Sequence, residues 1–201
     1  MKGSEARTKQ VLGKVLGQVR PSGHEKKELN AFAQKLLSTA EGLAKRSAKP
    51  MLCGSTAKGT WLSGRNEIDL FLLFDPSLTR ARLEKDGMKL AKAVVRAMKG
   101  KFVIAYAEHP YVRGSLAFKG KKYDVDLVPC YDVRDPSKIQ SAVDRTPHHV
   151  RYVNKHLKEG MHDQVLLLKQ FCKAAGCYGA DIKTQGVSGY LCELMILDFG
   201  S

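Results

Sequence analysis

The chain has 201 residues, 43% of them hydrophobic, which is enough for one large domain or two small ones with cores of their own. Its 34 Lys and Arg against 20 Asp and Glu give a formal net charge of +14, favouring a polyanionic partner, because Lys and Arg release counterions when they bind phosphates. No run of 18 apolar residues and no signal-peptide pattern occurs, and five cysteines lack a Cys-x-x-Cys spacing. These features argue against membrane spanning and secretion and for reduced thiols in a cytoplasm.

Residues 1–21 are basic, with a weak helical period at Val11, Leu12, Val15, Leu16 and Val19 that stops at Pro21. Ser22 is placed to cap a helix whose apolar positions are Leu29, Phe32, Leu36, Leu37 and Leu43. Pro50 to Cys53 reads as a short strand, and 66–74 as a second that ends at the Asp75-Pro76 turn. A helix follows at about 80–98, with Leu83, Leu90, Ala91, Val94, Val95 and Met98 on one side. Phe102 to Ala107 is a third strand, and Gly120-Lys121 joins two more as a hairpin. From Asp132 onward the pattern turns helical. Thr146 is the expected N-cap, with Pro147 at the first helical position; Gly160 ends that helix, Gly176 the next, and Gly189 begins a third.

Residues 53–74 carry the chemistry. Gly54-Ser55 is a small, flexible pair that lets backbone amides approach an anion. The apolar run Ile68 to Phe74 contains one acid, Asp69, and a buried carboxylate is costly unless a cation meets it. Glu67 and Asp69 are two apart, so on a strand they share a face, where a divalent metal would relieve their repulsion. Asp126, within Tyr-Asp-Val-Asp-Leu-Val, is again an acid inside an apolar strand and completes a candidate metal triad if the two strands are neighbours. Asp124 shares its face, and spacing alone does not set it apart.

Gly-Ser, a turn, then acid-x-acid on a strand resembles the nucleotidyltransferase superfamily that includes DNA polymerase beta. Four further stretches narrow the resemblance: Ala107-Glu-His-Pro-Tyr-Val, Asp124-Val-Asp-Leu-Val-Pro-Cys-Tyr, Ser141-Ala-Val-Asp-Arg-Thr-Pro-His-His and Gly189-Tyr-Leu-Cys-Glu-Leu. With them the chain, from about residue 25 onward, is similar to the archaeal (class I) CCA-adding enzymes, the tRNA nucleotidyltransferases. The resemblance implies an α/β fold: a polymerase-beta-like mixed sheet with flanking helices over residues 1–140, followed by part of a helical central domain over 141–201. It implies Glu67, Asp69 and Asp126 as catalytic ligands of two Mg²⁺ ions, with Asp124 the non-catalytic acid. It assigns Gly54, Ser55, Lys58, His149, Lys169 and Tyr178 to the nucleotide, and CTP, ATP and the tRNA 3′ end as substrates. The family usually has Arg where Lys58 stands, which loses a bidentate fork.

The chain stops where family members continue, so a split or truncated enzyme is expected. Exposed apolar residues near 189–197 would then call for a second chain carrying the missing domains, or for self-association. Two alternatives stay open: a poly(A) or oligoadenylate polymerase with the same chemistry, and a non-catalytic RNA-binding remnant that scaffolds a partner. Each motif residue also has a plainer reading. Lys58 is one of 34 cations; Lys169, Tyr178 and His149 could be a snorkelling, a packed and a surface side chain; Trp61 could stack on a base or fill the core. His148, His149 and His156 lack a completing ligand for zinc, and Cys172 and Cys177 read as small buried hydrophobes.

Overall fold

A computed structural model of the chain describes residues 2–180 and 184–200. In chain order the elements are α1 (Lys2–Val19), α2 (Gly23–Ala44), β1 (Lys49–Cys53), α3 (Gly54–Lys58), β2 (Glu67–Phe74), α4 (Arg80–Ala97), β3 (Lys101–Tyr106), β4 (Pro110–Phe118), β5 (Lys121–Tyr131), α5 (Arg145–His156), α6 (Met161–Ala174) and α7 (Gly189–Phe199). They form two compact units that interleave in sequence.

The first unit, residues 27–57 and 66–151, holds a five-stranded mixed sheet in the order β1-β2-β5-β4-β3. The β2–β5 pair is parallel and the other pairs are antiparallel. A parallel pair needs a long crossover, and α4 with the β3–β4 excursion supplies it. Thr79 caps α4 by accepting from the Arg82 amide, and Leu83, Leu90, Ala91, Val94 and Val95 form its buried stripe. Along β2, Ile68, Leu70, Leu72 and Phe74 alternate with Glu67, Asp69, Phe71 and Leu73, and β5 alternates in the same way, with Tyr123, Val125 and Leu127 buried on one face. Phe32 of α2 stacks on Tyr123, ring centroids 4.0 Å apart. The opposite faces of β2 and β5 carry their acids at one end and a small cluster of Cys53, Phe71, Leu73, Cys130 and Val150 further along. All five cysteines are free thiols, and burial pushes that of Cys130 well up.

Two departures from the sequence reading have local causes, and one open alternative is decided. Helix α5 begins at Arg145, directly after a 3-10 turn over Ala142–Asp144, so Thr146 and Pro147 lie inside its first turn rather than before it. That turn is fixed by Asp144, 1% exposed, whose carboxylate accepts from the amides of Tyr131 (2.9 Å), Gln140 (3.0 Å) and Ser141 (2.8 Å). Helix α5 ends at His156, and Gly160 (φ +87) caps the start of α6 instead of closing α5. Trp61 is 8% exposed, a core residue rather than a base-stacking one.

The second unit comprises residues 1–26, 58–65 and 152–201. Within it, α1 packs on α6 and Arg20 forms an ion pair with Asp163, which joins residues 1–26 to the C-terminal helices. Val153, Leu157 and Val165 make its apolar centre, with Tyr190, Ile196 and Leu197 against it. The Ser22–Glu25 capping box starts α2: Ser22 Oγ accepts from the Glu25 amide, and Glu25 accepts from the Ser22 and Gly64 amides and from the Ser63 hydroxyl. Those donors, the Ser22 amide first, hold the Glu25 carboxyl down at about 2, below its ordinary 4.5. Among the described residues no helix is long and apolar enough to cross a membrane.

Two outcomes are expected in unfolding experiments. Asp144→Ala orphans three buried or half-buried amides and lowers stability by about 2–4 kcal/mol in denaturant titration. Because the folded carboxyl of Glu25 titrates below the unfolded one, its contribution is complete above about pH 4.5 and disappears as pH falls toward about 2. Glu25→Gln should therefore melt below wild type at pH 7, with the gap closing between pH 4.5 and 2.

Candidate active site

The acids are brought together by register. In the parallel β2–β5 pair, Glu67 lies opposite Asp124 and Asp69 opposite Asp126. Alternation turns all four to the same sheet face, away from the buried Ile68, Leu70, Val125 and Leu127. Ser55, Glu67, Asp69, Arg113, Asp124 and Asp126 line a cleft of about 390 Å³. Its one cation, Arg113 of β4, stands opposite Asp126 in the antiparallel β4–β5 pair. Its Nε donates to Asp126 Oδ1 (2.9 Å) and its Nη2 to Asp126 Oδ2 (2.8 Å) and to the Tyr111 hydroxyl (2.9 Å). The Asp126 hydrogen bonds raise the pKa of the Arg113 guanidinium further above its already high value.

The loop before these strands fits the acids closely. Gly54 has φ +65, and a Cβ there would fall 1.7 Å from Asp69 Oδ2, so only glycine lets the backbone lie against that carboxylate. The Gly54-Ser55 pair opens the short helix α3 rather than a flexible turn, and Thr56 Oγ1 donates to the Glu67 carbonyl (3.0 Å), tying that helix to β2.

Of the expected residues, Ser55, Glu67, Asp69 and Asp126 line this cleft, and Gly54 packs on Asp69. Asp124 lines it too. His149 belongs to the same unit, half-buried in the first turn of α5, and is not among the cleft residues. Lys58, Lys169 and Tyr178 belong to the helical unit. There Lys58 (8% exposed), Thr60, Lys169 (2%) and Glu193 are buried together. Tyr178 and Lys169 both approach α7 at Gly189, where a Cβ would lie 2.8 Å from the Tyr178 hydroxyl.

Carboxylate oxygens are the donors that hard divalent cations such as Mg²⁺ prefer, so the donor set of the cleft fits such an ion. Among the described residues, however, no three His, Cys, Asp or Glu side chains are gathered closely enough to hold a metal between them. Like charges repel, and Asp126 gives both oxygens to Arg113. Sequence reading missed Arg113 and Glu193. Strand alternation back from the Gly120 hairpin would have put Arg113 on the acid face. Glu193 repeats the signal read at Asp69, an acid within an apolar stretch. The basic residues Arg80 and Arg82 pair with Glu84 and Asp86 one turn along α4.

Removing the guanidinium leaves the acids facing one another. Arg113→Ala is expected to lose about 1 kcal/mol of stability in EDTA, the pair being partly exposed, and to regain it on adding Mg²⁺. A loss of equal size with and without Mg²⁺ in thermal melts would show that Arg113 does not balance these carboxylates.

Comparison with known proteins agrees with this geometry. The nucleotidyltransferase domain family matches residues 34–149, and the second domain of tRNA nucleotidyltransferase matches residues 163–201. A CCA-adding enzyme of Methanoregula boonei is 47% identical over 184 residues, covering 92% of this chain and 38% of the relative. That of Methanocaldococcus jannaschii is 40% identical over 196 residues, covering 96% and 43%. That of Halobacterium salinarum is 45% identical over 193 residues, covering 94% and 41%. Among solved structures, the RNA terminal uridylyl transferase Cid1 superposes with a TM-score of 0.69 at 18% identity, over 95% of this chain and 52% of that one. The non-canonical poly(A) polymerase GLD-2, in complex with GLD-3, gives 0.65 at 15%, over 94% and 57%. At such identities these two show the fold alone. The chain thus spans about two-fifths of the length of these curated relatives; it belongs to the nucleotidyltransferase domain family, and within it is similar to the archaeal CCA-adding enzymes.

Proposed function

We propose that this chain carries the catalytic part of a template-independent tRNA nucleotidyltransferase, which adds C, C and A to the tRNA 3′ end from CTP and ATP. The observation that carries the proposal is the register of Glu67 and Asp69 against Asp124 and Asp126, in a chain 40–47% identical to archaeal CCA-adding enzymes.

In this reading the RNA 3′-hydroxyl attacks the α-phosphorus of the incoming nucleotide. A new P–O bond forms, the α–β phosphoanhydride breaks, pyrophosphate leaves with the electron pair, and the hydroxyl proton passes to water. Glu67, Asp69 and Asp126 would hold two Mg²⁺ ions, which when bound neutralise triphosphate charge and lower the pKa of the hydroxyl. The contribution of the chain itself is placement. Gly54 holds the backbone against Asp69, Thr56 fixes the start of β2, and Arg113 keeps Asp126 from folding onto its acidic neighbours. By the family resemblance Ser55, Lys58, His149, Lys169 and Tyr178 are assigned to the phosphates and ribose. No covalent enzyme intermediate is required.

The +14 net charge supports an RNA substrate. On α7, Leu191, Met195 and Phe199 are exposed and, with Tyr152, line a hollow of about 370 Å³. An apolar face of this kind calls for protein cover. We assign it to the remainder of the enzyme, carried on the same polypeptide or on a second chain. A cytoplasmic setting follows from the substrate and the free thiols.

The test is incorporation of labelled CTP and ATP, and separately UTP and GTP, into tRNA lacking its CCA end, with Mg²⁺. Assays with and without the remaining domains of an archaeal relative would be compared. Incorporation of C and A that Asp69→Ala reduces by more than about 100-fold is expected. ATP alone added repeatedly would point to a poly(A)-type polymerase, and no incorporation by the folded protein in any condition would leave an RNA-binding role.

A further inference from the structure

Helix α7, Gly-Tyr-Leu-Cys-Glu-Leu-Met-Ile-Leu-Asp-Phe, has an acid where its neighbours are apolar, and Glu193 is fully buried there. Its Oε2 accepts from the Lys58 ammonium, and its Oε1 accepts from the Thr60 hydroxyl (2.5 Å) and from Lys169 Nζ (3.1 Å). Lys169 Nζ also donates to the Thr60 carbonyl (3.0 Å) and to Thr60 Oγ1 (3.1 Å), so all three ammonium protons have an acceptor. Lys58 Nζ additionally lies 5.5 Å from the centre of the Tyr190 ring. Residues from three stretches, 58–60, α6 and α7, therefore meet on one carboxylate.

Two features separate this cluster from an ordinary structural ion pair. A well-packed hydrophobic set of similar volume would serve stability as well or better, since desolvating charges offsets what their pairing returns. The cluster is also unbalanced, with two ammonium groups and one carboxylate, all buried. Such an excess of positive charge is costly without a further anion.

Resting on the nucleotidyl-transfer reading above, we propose that Glu193 is a positioning residue. Its two oxygens hold Lys58 and Lys169 at one fixed spacing, so that together they form an anion-attracting pair for the triphosphate of the incoming nucleotide. Glu193 itself touches no substrate. Burial alone presses the Lys169 ammonium toward losing its proton, and Glu193 is the main opposing influence, with Lys58 adding to the pressure. Among the described residues, the other titratable groups near the cluster include Tyr190 and Cys192 on α7, whose protons burial helps to hold, Tyr178 beside Gly189, and His162 beside Gly59.

The experiment compares the full chain with Glu193→Gln, which keeps the shape and hydrogen-bonding ability of the side chain and removes its charge, and with Glu193→Asp as the conservative rescue. Carbon-13 NMR of the lysine ε-carbons follows Lys58 and Lys169 from pH 6 to 11, and CTP binding is titrated over pH 6 to 9. In Glu193→Gln the titration of Lys169 should move to lower pH than in wild type, and CTP affinity should be at least tenfold weaker at pH 8.5 and recover toward wild type at pH 6, with Glu193→Asp in between. Lysine titrations that Glu193→Gln leaves unchanged would overturn the proposal, as would a uniform loss of affinity at every pH, which marks a merely structural role. If wild type binds no CTP while the lysine titrations shift as expected, the nucleotide reading fails and the charge-holding role of Glu193 stands.

Discussion

The parallel pairing of β2 with β5 is the constraint on which the sheet unit depends. Strands that run the same way cannot be joined by a tight turn, so the chain must travel through α4, β3 and β4 before β5 can lie beside β2. That detour covers one face of the sheet with the apolar stripe of α4 and leaves the other face to the acids. The same register that sets Ile68 beside Val125 sets Asp69 beside Asp126. A slip of one residue would turn the acids into the core and the core into solvent, so the apolar alternation that stabilises the sheet also fixes the site.

Charge is handled in two ways in this molecule. Where a carboxylate serves architecture it is fully matched: Asp144 takes three amides at the end of β5, and Glu25 takes two amides and a hydroxyl at the start of α2. At the proposed sites like charges are gathered instead. Four carboxylates line the sheet cleft beside Arg113, and two ammonium groups share one carboxylate in the helical unit. In the reading proposed above, each cluster attracts a ligand of the opposite sign, a divalent cation in the first case and a phosphate in the second.

Much of the frame was legible because it rests on short-range rules. The apolar run of Ile68 to Phe74, the helical period of Leu83 to Val95, the Ser22 cap and the Gly120 hairpin each involve residues a few positions apart, and each appears at the expected place within one or two residues. The errors were also local in origin. Gly160 reads equally well as a helix stop or as the residue before the next helix, and its φ of +87 suits both. For Trp61 both readings stayed open, since an aromatic residue in a polar loop fits a core or a base equally, and burial decided for the core.

By itself, then, the sequence determined the sheet elements, the acids within their apolar strands and the family, because these depend on residue spacing and on motifs that are contiguous along the chain. Tertiary structure decided what pairs with what. It set Arg113 on both oxygens of Asp126, gathered residues 1–26 with the C-terminal helices through Arg20 and Asp163, and joined Lys58 to Glu193 across 135 positions. Those pairings follow from which buried charge can find a counter-charge once the helices and strands have packed, and spacing along a chain carries no record of that.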